Sequence, residues 1–176
     1  MENKKAQVWI ESVIYTVVGL AVIGLLLLVT RPQISKTQDE FIIQQTMKAF
    51  HELDNKLIEI KQATGNRRIV EFQLSKGELL LDGNADKIKW TLRSSGYMYS
   101  EPGYETAIGN IKILTTQNVD KYDVQLTLDY SSNIDMSIER QGIAKILQPA
   151  KNPYKLIIEN LGPNAEGMIQ VDVALT

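Results

Sequence analysis

The sequence of residues 4–30, KKAQVWIESVIYTVVGLAVIGLLLLVT, decides the architecture of this chain. Its last 19 residues, 12–30, carry no charge. At about 1.5 Å per residue they form a helix of roughly 28 Å, which is long enough to cross the hydrocarbon core of a bilayer. The chain that follows is too polar to enter lipid, so the sequence predicts one membrane helix joined to one water-exposed domain.

The composition limits what that domain can be. Of the 176 residues, 44% are apolar and 23% are charged. The one long apolar run lies at the start, which leaves room for one domain of about 110 residues. The formal net charge of −2 argues against nucleic-acid binding, which requires a surplus of cationic side chains. The chain has no cysteine, which excludes thiolate catalysis, disulfides and cysteine-ligated metals.

The residues that flank the apolar run predict its orientation. A cationic start before an apolar run is also typical of a secretory signal, but no small-x-small cleavage site follows Thr30. Lys4 and Lys5 are expected to stay in the cytoplasm by the positive-inside tendency. The sequence therefore predicts a single-pass membrane protein with its N-terminus inside and its C-terminus outside.

Glu11 is the one acidic residue next to the apolar run. A carboxylate within a membrane helix costs free energy, about 2.5 to 3.5 kcal/mol at the bilayer centre and less near the interface. Glu11 could be an interfacial acid that complements the positive end of the helix. Alternatively, a cut between Ala6 and Gln7 would create a cationic amine one turn before Glu11. The carboxylate could then pair with the terminal amine of a neighbouring subunit and set the register of an assembly.

The motif Lys4-Lys5-Ala6-Gln7, followed by Glu11 and the apolar run, resembles the class III signal peptide of archaeal type IV pilin-like proteins, a family that includes the archaellins. The resemblance implies that a membrane-embedded prepilin peptidase cuts between Ala6 and Gln7. It also implies a pilus assembly ATPase and a platform protein as partners, and self-association into a helical filament. The commoner family pattern has Ser two residues after Gln, where this chain has Trp9.

A second helix is predicted after the membrane segment. Arg31-Pro32 predicts a kink or short interruption, because proline removes one helical hydrogen bond. From about residue 35 to residue 62 the pattern is that of an amphipathic helix. Its apolar stripe consists of Ile43, Thr46, Met47, Phe50, Leu53, Leu57 and Ile60. Its charged face is predicted to carry Asp39, Glu40, Lys48, Glu52, Lys56, Glu59 and Lys61. The stripe could pack on its own domain, in a filament core, or partly on each.

Either Gly65 or Asn66 is suited to a left-handed helix cap. Beyond them the hydrophobic period changes to two, which is typical of strands. Eight are predicted, at residues 69–74, 78–81, 88–92, 111–116, 122–130, 134–139, 154–159 and 168–175. Residues 144–152 are predicted to form a loop. The fold class is therefore α+β, a long N-terminal helix followed by a mostly antiparallel, Ig-like β-sandwich. The predicted parts are a leader 1–6, a filament-core helix 7–31, a stalk helix 32–64 and a head 65–176.

Residues that could carry chemistry are few in the head. Asp82-Gly83-Asn84-Ala85-Asp86 begins like a calcium loop, but Lys87 and Arg93 occupy the positions where an EF-hand has Gly and Glu, so a hairpin turn is predicted. A loop gathers three tyrosines, which could either form a recognition surface or cover one edge of the sandwich. They are Tyr97, Tyr99 and Tyr104. The lone histidine, His51, makes neither a triad nor a metal site. We expect no enzyme activity, no metal and no cofactor.

These patterns together predict a structural subunit, major or minor, of an archaeal type IV pilus-like surface filament. The precursor would sit in the membrane, be cleaved before Gln7 and assemble through its N-terminal helix at the cell surface, with the heads available for adhesion. The alternative is an uncleaved single-pass membrane protein whose head binds a ligand or scaffolds a surface complex.

Overall fold

The computed structural model describes the backbone of residues 2–176 and the side chains of residues 9–176 except 29 and 32. One helix, α1 (Glu2–Ile60), precedes ten strands. The strands are β1 (Arg67–Phe72), β2 (Glu78–Asp82), β3 (Lys87–Ser95), β4 (Glu105–Ile108), β5 (Ile111–Asn118), β6 (Lys121–Asp129), β7 (Ile134–Ile138), β8 (Ala144–Leu147), β9 (Tyr154–Pro163) and β10 (Ile169–Leu175). The chain divides into two compact units, Met1–Gln38 and Asp39–Thr176. We refer to the second unit as the head.

The helix is longer than the sequence predicts. The interruption expected at Arg31-Pro32 is wrong, because the backbone is helical at both residues. A proline removes one hydrogen bond, but helix formation is cooperative, and the many remaining bonds of a long helix can maintain it.

The part of α1 that belongs to the head packs on the head. All seven stripe residues are buried, and the Phe50 and Phe72 rings meet edge to face with their centroids 5.9 Å apart. The predicted stripe is therefore confirmed, and it covers the head's own core. Asp39 is the exception on the other face: it was expected among the exposed charges, yet only 2% of it is exposed.

A residue 100 positions further along the chain closes the C-terminus of α1. Asn160 Nδ2 donates a hydrogen bond of 2.8 Å to the carbonyl oxygen of Ile60. The backbone N–H of Gly65 donates to the carbonyl of Asn160 at 2.8 Å, with Gly65 at φ +80°. Of the two predicted positions, Gly65 is left-handed and Asn66 is not, but Gly65 lies five residues after Ile60 and bonds Asn160 rather than the last turn of the helix. Asn160 supplies a partner for a terminal helix carbonyl that has none within the helix.

The strands form two sheets, a four-stranded one in the order β1-β9-β10-β7 and a six-stranded one in the order β4-β5-β6-β3-β2-β8. Every pair of neighbouring strands is antiparallel except β7 with β10, which is parallel. Both sheets turn alternate residues into one hydrophobic core shared with α1. The α+β class and the mostly antiparallel two-sheet head are confirmed.

Two strands lack a counterpart among the eight predicted ones. β4 and β8 occupy the two edges of the six-stranded sheet. All four residues of β4 are exposed, and only Leu147 of β8 is buried. Edge strands with so little buried surface have no strong period-two pattern, so pairing with β5 and β2 creates them. The loop predicted over residues 144–152 is therefore wrong at its start.

Candidate assembly surface on the N-terminal helix

The first part of α1 exposes a continuous apolar surface. Every side chain from residue 9 to residue 28 is exposed. The most apolar 18-residue window has a mean hydropathy of 2.6, and none of it is buried. By length and composition this helix is able to cross a membrane. In water, an apolar surface of this size requires cover from lipid or from other protein.

Two threonine hydroxyls of this segment are hydrogen-bonded to the helix itself. Thr16 Oγ1 donates to the carbonyl of Ser12 at 2.9 Å, and Thr30 Oγ1 donates to the carbonyl of Leu26 at 3.0 Å. A hydroxyl without a partner is costly in hydrocarbon. Bonding to the preceding helical turn removes that cost, so these two threonines suit an apolar surrounding.

The residues of the processing motif and of the proposed pairing stand near the start of the helix. Lys4, Lys5, Ala6 and Gln7 lie outside the residues whose side chains the structure describes. Glu11 is exposed on the helix surface, as are Trp9 and Tyr15. The two aromatic residues on either side of Glu11 are of the types enriched where helices leave a bilayer.

Two buried carboxylates that the sequence did not single out bind α1 to the loops and turns between the strands. Asp39 forms an ion pair with Lys76 at 2.5 Å and accepts a hydrogen bond of 2.8 Å from the backbone N–H of Gly96. Four turns later, Asp54 accepts from the Tyr130 hydroxyl at 2.8 Å and from Asn110 Nδ2 at 3.0 Å.

These two carboxylates hold α1 against the rest of the head at two positions along the helix. Burial, reinforced by the Asp54 carboxylate, raises the pKa of Tyr130, so its hydroxyl stays protonated and donates. Buried charged groups are stable only when they have such partners. Asp39 lies on the flank of the apolar stripe, four residues before Ile43, and this position was the one signal in the sequence that could have marked it as buried.

The three tyrosines of the loop 96–104 differ in their surroundings. Tyr97 and Tyr99 are half-buried against the core, with ring centroids 6.5 Å apart. Burial, followed by the neighbouring Glu40 carboxylate, raises the pKa of Tyr97. Tyr104 is exposed. Tyr97 and Tyr99 thus cover an edge of the core, Tyr104 does not, and a recognition role for the three tyrosines stays a prediction.

The calcium-like sequence forms a turn. Asp82 and Lys87 pair across the β2-β3 hairpin, and Asp82 Oδ1 accepts from the backbone N–H groups of Asn84 and Ala85. Asp86 Oδ1 points elsewhere, accepting from the Met136 N–H at 2.7 Å. The predicted hairpin is confirmed. Among the described residues, no group of three or more His, Cys, Asp or Glu side chains could hold a metal ion.

Comparison of the chain with protein-family models, with curated proteins and with solved structures finds no match.

Proposed function

We propose that this protein is a structural subunit, pilin-like in design, of an archaeal type IV pilus-like surface filament. The precursor spans the membrane once, with residues 1–6 inside the cell and the head outside. A prepilin peptidase removes those six residues, and an assembly ATPase with a platform protein transfers the subunit into the filament. The protein acts without catalysis, metal or cofactor.

The observation that carries this proposal is the uncovered apolar surface of residues 9–28 on the same helix that enters the head. Lipid covers such a surface in the membrane. A subunit that leaves the membrane must bury it against other copies, and burial stabilises by about 25 cal/mol per Å² of apolar surface removed from water. The head has a core of its own, so the N-terminal helix is available for contacts between subunits.

Glu11 would set the register of the bundle. After cleavage the terminal amine of Gln7 stands one helical turn before Glu11. In an apolar bundle a carboxylate favours the position where the amine of a neighbouring subunit can pair with it, because an unpaired charge there is strongly destabilising. Each subunit then contributes one acid and one amine, which suits a helical array of identical chains.

Processing is tested by mass spectrometry of the N-terminus of the protein isolated from membranes and from sheared surface filaments. We expect chains that begin at Gln7. Chains that begin at Met1 in both fractions would contradict cleavage and favour the alternative, an uncleaved single-pass protein whose head binds a ligand or scaffolds a surface complex.

The pairing is tested with Glu11→Gln, which keeps the shape of the side chain and removes its charge. Breaking one partner of a buried ion pair costs about 3 to 5 kcal/mol. We therefore expect filament yield to fall roughly tenfold or more, while the amount of protein in the membrane fraction stays unchanged. Glu101→Gln, at an exposed acid of the head, is the matched control and should assemble normally. An unchanged filament yield for Glu11→Gln would refute the pairing.

A further inference from the structure

We infer that, in the membrane-inserted form, the head rests on the lipid surface through the end at which α1 enters it. This proximal end consists of Phe41, the loop 96–104 and the hairpin turn 118–121. This end would contact the interface between headgroups and acyl chains of the bilayer that holds residues 12–30. The inference rests on the membrane insertion contained in the proposed function.

Hydrogen bonds and strand pairing place these parts together. Gly96 donates its N–H to Asp39, near the first residue of the head. Ser95 pairs with Tyr122 where β3 ends and β6 begins, and the backbone N–H of Ser94 donates to Asp123 at 2.8 Å. The loop 96–104, the turn 118–121 and the start of the head's helix therefore share one end of the six-stranded sheet.

The proximal end carries the most exposed apolar side chains of the head. Among the large apolar residues of 39–176 the highest exposures are those of Val119 at 83%, Phe41 at 66% and Tyr104 at 65%. Met98 in the same loop is also exposed. Two turns at the other end of the sheet have polar sequences, Asp82-Gly83-Asn84 and Ser131-Ser132-Asn133, and Ile108 at the third turn is less exposed, at 46%. The proximal end therefore suits apolar surroundings better than the other end does.

Val119 presents its side chain at a conformational cost. Its φ is +55°, in the left-handed region, which is unusual for a β-branched residue. The backbone of the turn is strained, yet the Val119 side chain is exposed to solvent. Packing within the head therefore does not offset the free-energy cost of the strain. Contact with lipid would offset it, because moving an apolar side chain out of water is favourable.

The connecting chain keeps this end close to the membrane. Thr30, the end of the uncharged run, lies nine positions before Asp39. Even fully extended, this stretch reaches only about 30 Å. Tyrosine is a residue type enriched at the membrane interface. Lys76 is paired with Asp39, and Lys121 follows Asp120 in the turn, so the contact would depend on apolar and aromatic groups rather than on anionic lipid.

The test uses spin labels in the full chain, which has no native cysteine to interfere. Four single-cysteine variants are labelled with a nitroxide and reconstituted at low protein-to-lipid ratio in phosphatidylcholine vesicles. Val119→Cys and Tyr104→Cys report on the proximal end. Ser132→Cys, at an exposed turn of the other end, is the matched control, and Leu20→Cys reports on membrane insertion. The measured quantity is accessibility to oxygen, which concentrates in lipid, relative to a water-soluble nickel chelate.

We expect labels at residues 20, 119 and 104 to favour oxygen and the label at residue 132 to favour the nickel chelate. If residues 119 and 104 behave like residue 132 while residue 20 favours oxygen, membrane insertion stands and this inference is overturned. If residue 20 also favours the nickel chelate, insertion itself fails and the proposed function fails with it. Protection of residues 119 and 104 that appears only at high protein-to-lipid ratio would assign the contact to a second copy and overturn the inference.

Discussion

Gly77 controls how the chain passes around the largest buried side chain of the head. It has φ +82°, and a Cβ at this position would lie 2.6 Å from the carbonyl oxygen of Thr91 and 2.7 Å from Trp90 Nε1. Trp90 is fully buried and donates through Nε1 to the carbonyl of Lys76 at 2.9 Å. The position therefore needs glycine both for its backbone conformation and for space.

Gly77→Ala is expected to destabilise the head more than a left-handed backbone alone explains. The backbone term costs about 1 to 2 kcal/mol, and overpacking against Trp90 adds about 1 to 3 kcal/mol. Gly167→Ala is the matched control, because Gly167 has φ +85° and nothing within 4 Å of the added Cβ. Urea unfolding followed by tryptophan fluorescence measures both variants. Equal losses of unfolding free energy would show that the space around Gly77 is not limiting.

Single residues also show which features of the structure could not be predicted from the sequence. Asp39 and Asp54 are acids on the flank of the apolar stripe, and their burial depends on partners from distant loops and turns: Lys76, Gly96, Tyr130 and Asn110. Nothing in the local pattern specifies those partners. The buried stripe, in contrast, was predictable residue by residue, because the helical period depends on the local sequence alone.

At the scale of elements, Asp129 links two strands and the turn that follows it. Its Oδ2 lies 3.3 Å from the Nζ atoms of both Lys87 on β3 and Lys112 on β5. Its Oδ1 accepts from the Ser131 hydroxyl at 2.7 Å. The Ser131 hydroxyl, followed by Lys112 and Lys87, lowers the pKa of Asp129 to about 2 against the opposing effect of burial.

This depressed pKa predicts a loss of stability in acid. Because the folded pKa lies below the ordinary value of 3.8, the contribution is complete above about pH 4 and is lost as the pH falls towards 2. It amounts to about 2.5 kcal/mol at most, since one pKa unit is worth about 1.4 kcal/mol. Asp129→Asn should lower stability near neutral pH and flatten the decline of stability in acid, as measured by urea unfolding at a series of pH values.

The exposed Asp120 in the β5-β6 turn provides the control for this experiment. Asp120→Asn should keep the acid decline of the original chain. If Asp129→Asn keeps the same decline, another carboxylate is responsible for it.

Strands that bury many of their own side chains were predictable from the sequence, and strands that bury few were not. β3 and β9 alternate between buried and half-buried residues along most of their length, and their sequences show the same period. β4 and β8 gain their structure from the neighbouring strand. The parallel pairing of β7 with β10 joins segments far apart in the chain, and no local pattern encodes such a partner.

For the whole molecule, the division at residue 39 separates the residues that build the hydrophobic core from the exposed apolar part of α1. The hydrophobic core cluster contains only residues from Ile43 onward, and both buried carboxylates of α1 lie on the head side of the division. The exposed apolar surface of residues 9–28 lies on the other side.

A fragment of residues 33–176 should therefore fold alone and stay in solution without detergent. It retains one helical turn before Asp39, which protects the Lys76 ion pair from fraying at a new terminus. We expect cooperative urea unfolding with a midpoint close to that of the head in the full chain held in detergent. Aggregation, or a broad and non-cooperative transition, would show that the head depends on the preceding helix.

The sequence by itself determined the parts of this protein that depend on local periodicity and length: a helix able to cross a membrane, an amphipathic continuation, and a head of short strands. Hydropathy and spacing act within a few residues, so they can be read along the chain. The tertiary structure decided which acids are buried, which edge segments become strands, which strands pair in parallel, and which apolar side chains stay uncovered at the proximal end. Each of these depends on partners brought together from distant positions, and pairing and burial exist only once the chain has folded.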